Sequence, residues 1–298
     1  MQYGMKHLVA IFLLPAISPV LAHDSALDEA YAALYGDQAR QAVAVAERLV
    51  DSWPGSAEAW QIKGDAYFWR AQEVNVFRRL RLLRHALDSY ERAAELDPHK
   101  VSAQIILLTI YTLLPESMGG GDDRIADQLD VMAAAVPGMD LIGRAVVKRA
   151  GETDSAGAYE LLNQAIAINS EEPDFRVARV QFLIDDDNWE SAHSDLLAAL
   201  DHFPDHPGLL LQQARLAAKT GQGLDQALAA LDRLGASPDR PLRIRPESLL
   251  LRRAQILEQL GEQAAAMAAY RAARTSAPRL VERYGLSDRI DALERQQP

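Results

Sequence analysis

The chain repeats itself. Ala158, Leu162 and Ala165 recur 34 residues later as Ala192, Leu196 and Ala199, and Ser170 and Pro204 keep the same interval. A spacing of three and four residues between apolar positions is the period of one helical face. Two such faces inside 34 residues describe a helix, a turn and a second helix. Neither helix is stable alone, so the pair must bury a shared seam and then stack on its neighbours. This register is visible seven times.

The clearest copies carry more than periodicity. From Trp60, WQIKGDAY sets an aromatic residue, Gly64 and Tyr67 at fixed offsets, and Ala86, Tyr90, Ala93 and Pro98 complete the second helix and its stop. The last copy places Leu250, Ala254, Leu257, Gly261, Ala266, Tyr270, Ala273 and Pro278 in the equivalent positions. The pattern resembles the tetratricopeptide repeat, and its period separates it from the longer HEAT and armadillo repeats. The resemblance implies an all-α, right-handed superhelical solenoid of about seven helix pairs with a C-terminal capping helix. It is specific for fold and silent on the ligand.

Around this array the sequence divides readily. Residues 1–22 read as a secretory signal, with Lys6 before the apolar run LVAIFLLPAISPVLA and Val20-Leu21-Ala22 as a small-residue cleavage site. That run holds two prolines and is short of the roughly 20 residues a spanning helix needs. Repeats are expected over 23–278, with the first unit, Asp24 to Pro54, as an end cap. A proline-rich loop is expected at 235–246, and a cap at 279–298 in which Ile290 and Leu293 cover the last seam. Gly64 to Ala86 spans 22 positions where the uninterrupted copy has 12, which places an insertion at about 70–85. The insertion, FRRLRLLRHAL, gathers Arg78, Arg79, Arg81 and Arg84 beside Phe77, Leu80, Leu83 and Leu87. Two readings stand: a basic projection that meets an acidic segment or lipid headgroups, or arginines paired with neighbouring carboxylates above core leucines.

Composition narrows the function classes. The chain has no cysteine, which excludes disulfides, thiolate metal sites and a cysteine nucleophile. Removing Lys6 with the signal leaves 30 basic against 42 acidic side chains, a formal charge of −12 that disfavours nucleic acid as a partner. No Gly-x-Ser-x-Gly elbow or phosphate-cradling loop is present, and no cofactor is expected. His202 and His206 stand four apart, but Phe203-Pro204 makes their segment a turn rather than a metal-binding face. DDDNWE at 185–190 lacks the glycine and distal glutamate of a calcium loop. Neither catalytic nor metal-ligating residues are assigned.

In resembling arrays the first helix of each pair lines the concave wall. The stripe opposite the seam is Gln61, Asp65, Phe68, Trp69 and Gln72 in unit two and Ile105, Thr109 and Thr112 in unit three. Gln181, Arg215 and Gln255 continue it in units five, six and seven. Its mixture of apolar and uncharged polar groups suits an extended peptide or helix of a protein partner. The lysine and asparagine that clamp a terminal carboxylate in some members are missing from the inner stripe of units two and three. The expectation is a noncatalytic periplasmic adaptor, with any membrane contact peripheral. An envelope-biogenesis factor engaging lipid or glycan through the insertion, and an enzyme with a site assembled between repeats, are the alternatives. Intact-mass measurement of the protein recovered from its cell is expected to give a chain beginning at His23; a mass that retains residues 1–22 would refute the cleavage.

Overall fold

The computed structural model describes residues 19–36, 38–151, 155–237, 244–283 and 285–295. The expected signal segment therefore lies largely outside the described residues, as does half of the proline-rich loop, 238–243. Among the described residues every regular element is helical. The seven pairs are α1 Pro19–Tyr35 with α2 Ala39–Ser52, α3 Ala57–Gln72 with α4 Val76–Leu96, α5 Val101–Leu113 with α6 Asp122–Ala135, and α7 Met139–Gly151 with α8 Ser155–Ile168. They continue as α9 Pro173–Asp185 with α10 Trp189–His202, α11 Pro207–Thr220 with α12 Leu224–Ala236, and α13 Pro246–Gln259 with α14 Gln263–Ser276. Two short helices follow, α15 Pro278–Arg283 and α16 Ser287–Arg295.

Local chemistry sets the boundaries. Ser56 and Asn75 cap α3 and α4 by accepting from the amides of Ala59 and Arg78. Proline opens α9, α11 and α13, where its missing N–H would have had no helical partner. Gly221, at φ +73, ends α11 in the left-handed conformation.

The seams form one continuous series of cores. Leu27, Tyr31, Leu49 and Ile62 join the first three helices, and Leu108, Met132, Ile142, Leu162 and Phe175 carry the middle of the chain. Leu210, Leu231, Leu234 and Ile256 pack the sixth unit on the seventh. Ala158, Leu162 and Ala165 and their 34-residue counterparts Ala192, Leu196 and Ala199 are all buried, which is the seam that the periodicity demands.

Tyrosine ties these seams in a way the apolar pattern does not announce. Tyr67 donates to Glu47 at 2.5 Å and Tyr111 to Glu91 at 2.7 Å, each from a first helix to the second helix of the preceding pair. Tyr31, Tyr90, Tyr159 and Tyr270 make the same kind of bond to Glu58, Asp65, Asp186 and Glu258. Burial, followed by the carboxylate beside it, pushes each phenol above its ordinary range, so all stay protonated donors.

Two features differ from the expectation, while the insertion lengthens a helix as its apolar spacing implies. The cap is two helices, because Pro278 begins α15 instead of only ending α14; Ile290 and Leu293 on α16 are buried as a cap requires. The insertion adds no separate element: α4 has 21 residues against 13 or 14 in the other second helices. The array is also not an open-ended trough. Tyr35 on α1 packs into the core of Leu251, Tyr270 and Val281, so the first helix, expected as a free end cap, is met by the last unit.

The connector PESMGGGDD folds as a short 3-10 turn, Glu116–Met118, with Gly120 buried and its amide bonded to the Pro115 carbonyl at 3.2 Å. A Cβ on Gly120 would sit 2.0 Å from the Leu114 carbonyl oxygen. Gly120→Ala is therefore expected to cost about 2–3 kcal/mol in urea unfolding; an unchanged midpoint would show that the turn is not packed in this way.

Candidate functional site

The approach of the two ends creates a cleft of about 1410 Å³. One wall is the inner face of units two and three. Asp65, Phe68, Trp69 and Gln72 follow the i, i+3, i+4, i+7 spacing that puts them on one face of α3, and Ile105, Ile106, Thr109, Ile110 and Leu113 extend it along α5. The facing wall comes from the far end of the sequence: Arg274, Pro278, Arg279, Val281, Glu282, Arg283 and Ser287.

Arginines from the C-terminal side hold the walls in place, and their partners lie on the N-terminal side. Arg279, itself 7% exposed, donates to Glu73 at 2.5 Å, and Arg70 meets the other oxygen of Glu73 at 2.8 Å. Burial alone would raise the Glu73 carboxyl, but the two guanidiniums outweigh it and hold it below the usual range. Arg245, at the start of α13, pairs with Asp28 and lies 5.7 Å from the Tyr31 ring. Arg283 sits 5.4 Å over Trp69.

The walls differ in chemistry. The α3 and α5 wall is largely apolar and partly bare: Phe68 is 44% exposed and Leu113 70%. The α15 wall is polar and cationic. At the base, Tyr90 reaches from α4 to donate to Asp65 at 2.6 Å. Loss of solvent pushes the Asp65 carboxyl up to about 6, against the lowering effect of Tyr90 and of Arg283.

Of the eleven groove residues read from the sequence, Asp65, Phe68, Trp69, Gln72, Ile105 and Thr109 line this cleft together. The other five do not. Gln61 is buried within α3, and Thr112 turns its hydroxyl to the Leu108 carbonyl at 2.9 Å. Gln181 and Arg215 meet at Asp185, at 2.7 and 2.5 Å, in a network that also takes in Gln212 and Arg149. Gln255 accepts from Arg252 on its own helix at 2.8 Å. These polar groups are spent within their own helices or on an adjoining repeat, so the expected stripe is not one continuous surface. The register does not single out Ile106, Ile110, Leu113, Glu73 or Tyr90, and nothing local marks the α15 side chains, which arrive from some 200 positions away.

The remaining motifs resolve simply. Asp185 and Asp186 of the acidic turn are ion-paired with Arg215 and Arg149, and His206 lies 3.7 Å from Asp174. No group of three metal-ligating side chains occurs among the described residues. Arg78, Arg79, Arg81 and Arg84 are exposed on the first turns of α4, remote in composition from the cleft and absent from its lining.

Comparison with known proteins agrees with this architecture. A tetratricopeptide-repeat family model matches residues 27–74 and 177–241. Among solved structures, the chain is similar to yeast Tom70, with 12% identity over 95% of this chain and 66% of that one at a TM-score of 0.50. It also matches a tetratricopeptide repeat protein from Parabacteroides merdae, with 14% identity over 91% and 97% of the two chains and a TM-score of 0.43. A third match is the Cut9-Hcn1 hetero-tetramer of the APC/C, with 15% identity over 91% of this chain and 47% of that one at 0.46. The chain thus spans about half of the Cut9-Hcn1 chain and just under two thirds of Tom70. At such identities the likeness concerns the fold alone. No curated protein matches the sequence.

Asp65 gives a direct test of the cleft's electrostatics. Its folded carboxyl titrates higher than an unfolded one, so ionisation costs stability as pH rises from the ordinary carboxylate range through about 6, and the cost remains above that. Asp65→Asn, which keeps an acceptor for Tyr90, is expected to be more stable than the parent by about 1–2 kcal/mol at pH 8 and no more stable at pH 3.5. Equal melting at both pH values would mean that the carboxyl is well solvated.

Proposed function

Since this chain is built from tetratricopeptide repeats, arrays that serve in general as protein-interaction scaffolds, we propose that it is a noncatalytic adaptor that holds an extended, mainly apolar segment of a partner protein against α3 and α5. The observation that carries this reading is the bare apolar wall. Phe68, Ile105, Ile110 and Leu113 face a cleft wide enough for a peptide, although a chain that needed only to fold would cover them. The opposite wall supplies the polar groups that orient a segment: Arg283 and Glu282 are exposed and available to a peptide's side chains or termini. Phe68 is the principal anchor, since a large aromatic side chain in a partly closed cleft gains most from desolvation.

The preformed walls keep the ordering cost of binding low, because each repeat is already fixed by its neighbours. The apolar leader read from residues 1–22 supports export, and a cut after Ala22 would leave His23 tilted against Trp53, with ring centroids 5.3 Å apart, and bonded to Ser56 at 3.1 Å. The periplasm is the compartment proposed on that basis, and a chain without cysteine is suited to it.

A photoactivatable phenylalanine at position 68 tests the proposal in the living cell. Irradiation is expected to yield discrete protein adducts, which Leu113→Asp reduces by about tenfold or more while leaving the melting temperature unchanged within a few degrees. Absence of adducts at position 68, or adducts indifferent to Leu113→Asp, would exclude the cleft as the docking site.

A further inference from the structure

The first turns of α4 have no part in the cleft and no visible internal role. Phe77 is 86% exposed, more than any other large apolar side chain among the described residues, and Leu80 is 49% exposed. Phe77, Leu80, Arg81 and Arg84 fall at i, i+3, i+4 and i+7 and so share one helical face, with Arg78 and Arg79 beside them. All four arginines are exposed, and none is ion-paired among the described residues; Arg79 donates to the Ala71 carbonyl at 3.2 Å. From Asn75 to Leu87 there is no acidic residue, in a protein whose formal charge is −11. The inner side of the same turns is anchored, since Leu82 and Leu83 are partly buried and Ala86 and Leu87 are buried. The helix is therefore held in place by one face while the opposite face offers an aromatic ring, a leucine and cations to the outside.

We propose that this extended end of α4 docks the protein onto an anionic phospholipid surface, with Arg78, Arg81 and Arg84 on the lipid phosphates and Phe77 and Leu80 inserted among the headgroups. Charge complementarity selects an anionic occupant. Three observations select lipid over an acidic protein segment. The patch is the exposed face of a lengthened helix, and neither described cleft reaches it to enclose a peptide. Its cations are all arginine, whose planar fork matches phosphate oxygens in pairs. An exposed aromatic ring set among those cations has the amphipathic composition of an interfacial helix, burying its apolar side a few ångströms deep. The acidic remainder would be repelled by the same surface, so contact is confined to this end and the orientation is fixed. No helix among the described residues is long and apolar enough to cross a membrane, and the docking described is peripheral.

The test uses the protein recovered from its exporting cell, floated with vesicles of phosphatidylcholine alone or with about 30 mol% phosphatidylglycerol, an anionic content sufficient for basic-patch binding. Binding is expected with phosphatidylglycerol only and should weaken as salt rises. Arg78→Glu with Arg81→Glu is expected to reduce partitioning by more than about tenfold, and Phe77→Ala by several-fold. Arg40→Glu with Arg48→Glu, the same change of charge on α2, should leave most of the binding intact. Far-UV circular dichroism and melting of each variant report whether the fold is kept; the substituted side chains are exposed, and the single change Phe77→Ala provides an uncharged check. The inference is overturned by equal binding to both vesicle types, by no binding to either, or by the two double variants behaving alike. Capture by polyglutamate, dependent on Arg78 and Arg81, in place of vesicle binding would assign the patch to an acidic protein and overturn it as well.

Discussion

The arginine bridges between the two ends of the array hold the functional geometry together. Stacking alone would leave α3 and α5 facing solvent, as in any open solenoid. The pairing of Arg279 with Glu73 and of Arg245 with Asp28, together with Tyr35 in the C-terminal core, brings a second wall to them. Such pairs add little stability where water reaches them freely, but Arg279 and Arg245 are nearly buried, where removing a carboxylate partner costs more than at an open surface. The bridges therefore determine which surfaces face each other more than how tightly the repeats fold.

Stability along the array comes from another source. Each seam buries small and bulky apolar groups, and a tyrosine repeatedly crosses it to a carboxylate. In those bonds the phenol is the donor, and burial and the neighbouring carboxylate both keep it protonated. At Asp65 the acid is affected as well, because burial raises its carboxyl to about 6. The same Tyr–acid device thus gives a sealed seam in one place and a pH-sensitive cleft base in another.

How much of this could be read from residue order depends on range. The seam residues, the turn glycines and the capping role of Ile290 and Leu293 follow from periods of three to four and 34, because helix packing is local and repetitive. The lengthening of α4 is visible as extra residues between Gly64 and Ala86. The six cleft residues of α3 and α5 follow from the same register. What escapes is the pairing of distant surfaces. Gln181, Arg215 and Gln255 occupy the expected register yet bond to their neighbours, and Glu73 meets Arg279 from 206 positions away without any pattern that marks the pair. A polar side chain's partner is settled by three-dimensional proximity, to which hydrophobic periodicity is blind.

Recognition in this account depends on the closed arrangement of the ends. The chain has no cysteine, so Gln72→Cys with Glu282→Cys provides two unique sites for nitroxide labels on the facing walls. Double electron–electron resonance on that variant measures the separation of the walls in solution. With the ends closed, one short, narrow distance that persists at physiological salt is expected. A long or broad distribution, of the kind an open and independently moving pair of ends would give, contradicts it.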